Sequence, residues 1–401
     1  MTDKRLQPDD SKHVLRDKLP LPLMAAIAAL PPLAVDMYLP AIPQIAAGFA
    51  TEISTIQNSL SIFLVGFGLG MLVFGPLSDR YGRRPLALFG LAGFAISSLL
   101  LTLSPNATLF LLFRLLQGFL GSAATVTIPA MIRDTYGKDT AKGMSAVTMI
   151  MLIAPLLAPL MGSLVLALTA WRGIFAALTL YPAVLLLLTW WRLPETKPAD
   201  EHGAKRTIFG NYKIILGNPR IYFDLCTYML SALAFFIYLT SVSFVYITWY
   251  GVSETLFGIL FACSAAALIF VNFINVRMVS RCGPRRMMHA GLALGTGFAG
   301  LLLAMLGMGM GVYWIVAAFA CIVGSLGISA VNADAMILIE FPKQASSASA
   351  VTGTLRFGFG AVSGPLLAWT YDGTPLPMAM LLLAALAGAA LMQILRKLVY
   401  R

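Results

Sequence analysis

Few side chains in this sequence are able to do chemistry, and two of them stand in stretches otherwise free of charge. Asp36 lies within VDMYLPAIP, about 22 Å along a helix that would begin near residue 21, at roughly 1.5 Å per residue. An ionised carboxylate in apolar surroundings is costly, and taking up a proton relieves the cost. Such a group suits a cycle of proton binding and release. Pro40 and Pro43 follow it and should bend the helix near the same depth. Arg114, within RLLQG, enters its own apolar stretch from the other end and reaches a comparable depth. The two read as partners, either a static ion pair or a pair in which Arg114 tunes the proton affinity of Asp36.

Two further constellations have mechanical rather than chemical content. The first is Gly75-Pro-Leu-Ser-Asp79-Arg80-Tyr-Gly82-Arg83-Arg84-Pro85. Here glycine permits close helix approach and a tight turn, and mixed charges can lock or release a contact between helices. Asp79, Arg80 and Arg83 read as a latch with Asp134 as a partner; a solvated loop would account for the arginines but not for the glycines. The second is Ala154-Pro155-Leu-Leu-Ala158-Pro159-Leu-Met-Gly162-Ser163. Pro155, Pro159 and Gly162 suit a kinked, tightly packed helix that excludes ion leak. No nucleophile, phosphate-binding or metal-binding pattern accompanies them. Cys226, Cys263, Cys282 and Cys321 form no CxxC or Cys/His cluster, and His13, His202 and His289 fall in tails, loops or at the start of an apolar stretch. The reading is therefore no enzyme, no metal and no cofactor.

The elements that position these groups follow from composition. Residues of the chain are 59% hydrophobic and only 11% charged, against about 25% charged in a soluble domain, so lipid is the expected solvent. Apolar runs near the length needed to cross a bilayer succeed one another almost without pause, and none alternates as a barrel strand would. They read as spans at 21–47, 55–77, 85–104, 107–132, 143–168, 173–192, 221–248, 255–277, 287–308, 312–338, 346–371 and 376–396. The apolar run after the polar N-terminus is too long for a secretory signal and lacks its cleavage site, so it is expected to remain as the first span.

A net charge of +11 would suit nucleic acid, but its distribution points elsewhere. Of the 28 lysines and arginines, 25 fall in alternate loops and the two ends; the other loops hold only Arg172, and Arg114 and Arg356 are inside spans. Basic residues on one side place both termini in the cytoplasm and require an even number of spans. Topology thus absorbs the charge, and no nucleic-acid partner is expected. The loops at 78–84, 133–142, 192–220 and 277–286 mark what is called below the basic end; the opposite end is called the neutral end.

The polar stretch 194–220 divides the chain into six spans and six. The expected organisation is a tail (1–20), a six-helix bundle (21–193), a linker (194–220), a second bundle (221–397) and a short tail (398–401). Internal similarity supports it: Gly118-x-x-Gly121 recurs as Gly324-x-x-Gly327 and Pro159 as Pro365, both 206 residues on, and Arg80-Tyr81-Gly82 recurs 201 residues on as Arg281-Cys282-Gly283. Repeated six-helix bundles are a layout in which two halves rock about a site at the midplane.

The 75–85 loop resembles the signature of the major facilitator superfamily. Arg114-x-x-Gln117-Gly118 resembles the fourth-span signature of its drug:proton antiporters. The 154–163 string resembles their fifth-span signature, although Ala158 and Ser163 stand where glycines are usual. With IEFP at 339–342 and TLRFGFGA at 354–361, the chain as a whole resembles the bicyclomycin-resistance (Bcr/CflA) branch. The resemblance implies an all-α membrane protein of twelve helices in two pseudo-symmetric bundles. It implies a monomer in a bacterial inner membrane, driven by the proton gradient, that exports small-molecule drugs such as bicyclomycin or phenicols. A proton-coupled or uniport carrier of one metabolite is the alternative. In that superfamily spans 1, 4, 7 and 10 face the cavity, which would place Tyr38, Gln117 and Tyr238 there. Arg356, inside span 11, has either a substrate role or a contact with helix carbonyls.

Overall fold

The structure, a computed structural model, describes residues 20–136, 140–197, 213–341 and 345–400. Most of the N-terminal tail, the middle of the 194–220 linker and the last residue lie outside these. Among the described residues the chain is helical throughout, with no strand. We number the rods α1 (Leu21–Gly48), α2 (Ile53–Tyr81), α3 (Arg83–Thr102), α4 (Ala107–Tyr136), α5 (Thr140–Leu168), α6 (Trp171–Arg192), α7 (Pro219–Trp249), α8 (Glu254–Cys282), α9 (Pro284–Gly307), α10 (Val312–Glu340), α11 (Ala345–Gly360 and Ser363–Thr370) and α12 (Leu376–Val399). Ten of the described helices are long and apolar enough to cross a membrane, and α5 contributes the shorter apolar stretch Ile153–Leu168.

Two rods are interrupted, each for a reason written in proline, and a third, α7, widens into a π-helical stretch at Phe244–Trp249. α1 is built of Leu21–Ala28, Leu30–Asp36, a 3-10 turn Leu39–Ala41 and Ile42–Gly48, because Pro31 and Pro32 have no amides to give the Ile27 and Ala28 carbonyls, and Pro40 and Pro43 remove amide donors just beyond Asp36. Span 11, read from the sequence as one rod, is interrupted at Ala361 and Val362. Pro365 has no amide to give the Ala361 carbonyl, so the helix restarts at Ser363. The fresh start leaves the Gly364 amide free to donate to Ser61 Oγ of α2 at 2.9 Å.

Packing within each half follows the same scheme. α4 crosses α2 so closely that a Cβ on Gly118 would strike the Phe63 carbonyl, and one on Gly66 the Leu115 carbonyl. At the repeat position, Gly324 of α10 lies against Val271 of α8. The α2–α3 and α8–α9 turns also correspond, each using a glycine at positive φ: Gly82 at 106° and Gly283 at 80°. α5 packs on α8, and α2 packs on both pieces of α11. Among the described residues, three hydrogen bonds cross between the halves: Gln57 Nε2 to the Thr240 carbonyl, Gly364 N to Ser61 Oγ, and Ser163 Oγ to the Glu254 carbonyl. All three lie toward the neutral end.

Candidate functional site

Asp36 ends the second segment of α1, where the rod loses its regular form. The side chain is 4% exposed, and its Oδ1 has no hydrogen-bond partner. It lines a small cavity between the halves, with Pro155 of α5, Tyr238 of α7, Phe261 and Ser264 of α8 and Val323 of α10. One wall is thus a carboxylate and a proline from the N-terminal half, and the other is aromatic and hydroxylic from the C-terminal half. Tyr238 is held by Phe319 and Phe261, with ring centroids 5.0 and 5.9 Å away.

Arg114 is fully buried but does not pair with Asp36; no ion pair joins them, which corrects the partnership expected from depth alone. Its Nη1 donates to the Ala34 carbonyl at 3.1 Å and to Gln117 Oε1 at 2.8 Å. Its guanidinium lies 4.3 Å from the Tyr38 ring centroid and 4.8 Å from that of Phe63, a cation–π cage that compensates for lost hydration. Gln117 passes the chain on to Ser98 Oγ at 2.8 Å, and Ser59 donates to Tyr38 Oη at 3.1 Å. Tyr38 and Gln117 therefore belong to the arginine nest inside the N-terminal bundle and not to the cavity wall; of the three residues expected there, only Tyr238 lines it. Residues 36 and 38 are about 200° apart around a helix at 3.6 residues per turn, so one face cannot present both.

At the basic end Arg83 is 1% exposed. Its Nη1 reaches Asp79 and Ser78, and its Nε donates to Asp134 Oδ2 at 3.1 Å, tying the α2–α3 turn to the end of α4. Arg80 is exposed and its guanidinium lies over the Tyr81 ring, while its carbonyl accepts from Lys197 Nζ at 2.8 Å. Gly75 also departs from expectation, since a Cβ there would meet nothing within 4 Å. The close helix approaches are made one and two turns earlier, by Gly70 and Gly66. Gly82 does serve its turn, and Glu195 fills the space where a Cβ would stand.

Pro155, Pro159 and Gly162 put α5 at the seam between the halves. Gly162 packs on the Met37 carbonyl so tightly that a Cβ would overlap it, which holds α5 against the break in α1. The Pro159 carbonyl and Ser163 lie against Gly258 of α8. Arg356 is exposed on α11, with Tyr228 and Asp334 as its electrostatic neighbours.

Several participants were not singled out from the sequence. Glu195 receives the amides of Arg83 and Arg84 at 3.0 and 3.1 Å, clamping the linker's first residues onto the α3 start. The acid of PETK, just past a helix end, was the available signal. In the C-terminal half Asp224 accepts from Arg285 through both oxygens at 3.3 Å and from Gln393 at 3.1 Å, and Arg396 lies 3.6 Å away. Ser264, Phe261 and Phe319 are ordinary residues of apolar helices, and nothing local distinguishes them.

Three comparisons bear on this arrangement. Residues 24–365 match the Major Facilitator Superfamily. The chain is 32% identical over 364 residues to a bicyclomycin resistance protein homologue of Haemophilus influenzae, covering 88% of this chain and 90% of the relative. It is 33% identical over 274 residues to a chloramphenicol resistance protein of Pseudomonas aeruginosa, covering 67% and 64% respectively. A bacterial homologue of the human lysosomal transporter Spinster, solved in an inward-facing and occupied conformation, superposes with a TM-score of 0.73 at 16% identity, covering 94% of this chain and 96% of the other.

Proposed function

Because the chain belongs to the major facilitator superfamily, and is thus a multi-pass membrane transporter, we propose that it expels small-molecule antibiotics in exchange for protons. The observation that carries the reading is Asp36: a carboxylate without an ionic partner, buried at the break of α1, on the wall of the cavity between the halves. A charge there is expensive unless it is exchanged for a proton or a ligand. Proton binding and drug binding at one carboxylate then exclude each other, which is the coupling an antiporter needs. Arg114 acts at one remove, fixing the Ala34 carbonyl two residues before Asp36 and so the geometry of the break.

The basic end faces the cytoplasm of a bacterium, with both termini inside, and the neutral end faces outward across the inner membrane. Residues 21–193 and 221–397 rock as two bodies joined by 194–220. Arg83, Asp79 and Asp134 brace the N-terminal body as it moves, and α5 and α8 form the seam. The cycle needs no cofactor beyond the proton gradient, and a single chain suffices. Relatives named for bicyclomycin and chloramphenicol resistance support drugs over a dedicated metabolite.

The test is reconstitution in vesicles with an imposed pH gradient. Chloramphenicol or bicyclomycin should dissipate the gradient, and Asp36→Asn should abolish the response while downhill drug exchange persists. Gradient-driven drug movement surviving in Asp36→Asn would sink the proposal. Silence toward drugs with movement of an amino-acid-like solute would replace it with the metabolite carrier.

A further inference from the structure

The wall opposite Asp36 begins a run of polar atoms that packing and drug contact do not account for as a whole. Tyr238 Oη, Ser264 Oγ and Tyr246 Oη are buried, and like Asp36 Oδ1 they have no hydrogen-bond partner. The three residues are at most 1% exposed. A buried hydroxyl left unsatisfied is costly and calls for an explanation in function or in a bound water. These groups are also adjacent. Ser264 interacts with both phenols without completing a hydrogen bond to either, and Tyr238 feels the charge of Asp36. The Phe319 ring is shared between the tyrosines, with centroids 5.0 Å from Tyr238 and 6.0 Å from Tyr246.

The run has a direction. Tyr246 follows Tyr238 by eight residues on α7, or about 12 Å at the helical rise, toward the neutral end. It lies in the π-helical stretch Phe244–Trp249, and such widened turns cluster at functional sites. The phenolic oxygens add nothing to the packing, which the rings already satisfy against Phe257, Phe261 and Phe319. Drug contact explains Tyr238 and Ser264, which line the cavity, but not Tyr246, which does not.

We propose that Tyr246, Ser264 and Tyr238, bridged by water, form a hydroxyl relay that carries protons from the neutral end to Asp36. The inference rests on the reading of Asp36 as the coupling carboxylate. Each hydroxyl has both a donor hydrogen and acceptor lone pairs. A hydronium ion at the neutral end gives its proton to the Tyr246 oxygen as Tyr246 passes its own to Ser264, Ser264 to Tyr238 and Tyr238 to Asp36. The net change is one hydronium and one carboxylate converted to water and a carboxylic acid, and every hydroxyl ends with the proton count it began with. A concerted shift leaves no charge on a tyrosine. Among the described residues no rival base lies between Tyr246 and Asp36. Arg114 of α4 is committed to Ala34 and Gln117, and α5 faces Asp36 with Pro155. α8 adds Cys263 beside the phenols and Glu254 at its neutral-end start, α10 adds the exposed Cys321, and α7 ends with Tyr250.

The experiment follows the Asp36 carboxyl by time-resolved infrared absorption in proteoliposomes with the neutral end outward, after an acid jump applied outside. The wild-type chain should develop a protonated-carboxyl band that Asp36→Asn lacks. Tyr246→Phe, which keeps the ring, and Ser264→Ala should reach the same amplitude more slowly, by roughly 10²-fold, the lower end of what a positioned proton-transfer group contributes. Wild-type rates in both variants would overturn the relay and leave Asp36 in its role. A band that is missing in the wild type, or that persists in Asp36→Asn, would overturn the reading of Asp36 and the relay with it.

Discussion

The two halves share a helix plan but differ in how firmly each holds its basic-end arginine and in what each presents to the cavity. In the N-terminal half Arg83 is matched on the spot, while Arg114 is engaged through Nη1 and its face, its Nε and Nη2 having no hydrogen-bond partner. Arg114 has a carbonyl, an amide oxygen and aromatic faces, and Arg83 has two carboxylates and a serine. In the C-terminal half Arg285 is 29% exposed where Arg83 is 1%, and the hydroxyls facing the cavity are unmatched. A matched interior resists rearrangement, because every displaced group must find a new partner. An unmatched one accepts water, a proton or a ligand at little cost. At the basic end the N-terminal half is thus the more firmly braced, and at the cavity it presents one carboxylate to a wall of open hydroxyls.

The sharpest way to break this contrast is at the two basic-end arginines. Arg83→Ala takes from Asp134, whose side chain is 8% exposed, its 3.1 Å partner and leaves it only the part-exposed Arg133 at 3.6 Å, so the loss should approach the low end of the cost of removing one partner of a buried pair, about 3–5 kcal/mol. Arg285→Ala leaves Asp224 with Gln393 and Arg396, and the lost pair is partly exposed, so about 1 kcal/mol is expected. Thermal unfolding in detergent should show a much larger fall in Tm for Arg83→Ala. Equal falls would mean that the halves are equally braced and the contrast is only one of appearance.

The signature glycines give the next effect. Gly162→Ala drives a methyl group into the Met37 carbonyl, and overpacking of this kind costs about 1–3 kcal/mol. Because it pries α5 from the break that carries Asp36, transport should fall further than stability. Gly75→Ala meets open space and should change stability by no more than about 0.5 kcal/mol. Drug-resistance assays of cells expressing each variant, paired with melting curves, separate the two. A damaging Gly75→Ala would show that this glycine is needed in a conformation other than the one described here.

These glycines also show what local sequence can and cannot say. Twelve rods and their alternation were legible, because apolar length and basic loops are summed over many residues. Asp36 was legible because a lone acid in an apolar run is rare. Its surroundings were not, since Tyr238, Ser264 and Phe261 reach it from α7 and α8, over 200 residues away in the chain. Tyr38 and Gln117 were misplaced for a simpler reason. Whole helices were assigned to the cavity without regard to the angle of each residue, although Gln117, three residues from Arg114, had to share its face. Likewise Gly66 and Gly70, spaced by four, carried the close-packing signal that was credited to Gly75.

The smallest effect tests whether the open hydroxyls of the C-terminal half are confined to the cavity wall and its relay. Asp372, in the exposed α11–α12 turn, is partnered: its Oδ1 accepts from Thr374 Oγ1 at 2.7 Å and Thr374 N at 2.8 Å. Those bonds, the hydroxyl's foremost, hold the carboxyl below its usual pKa. A carboxyl depressed in the folded state stabilises the fold above its unfolded pKa, and the contribution fades as pH falls through the folded value. Thr374→Ala should raise the Asp372 pKa toward the ordinary carboxylate range, read by NMR titration. It should lower Tm slightly at neutral pH, with the difference from wild type vanishing in acid. An unmoved pKa would mean that the Thr374 hydroxyl does not hold the carboxyl, and that this turn is as loosely held as the cavity wall.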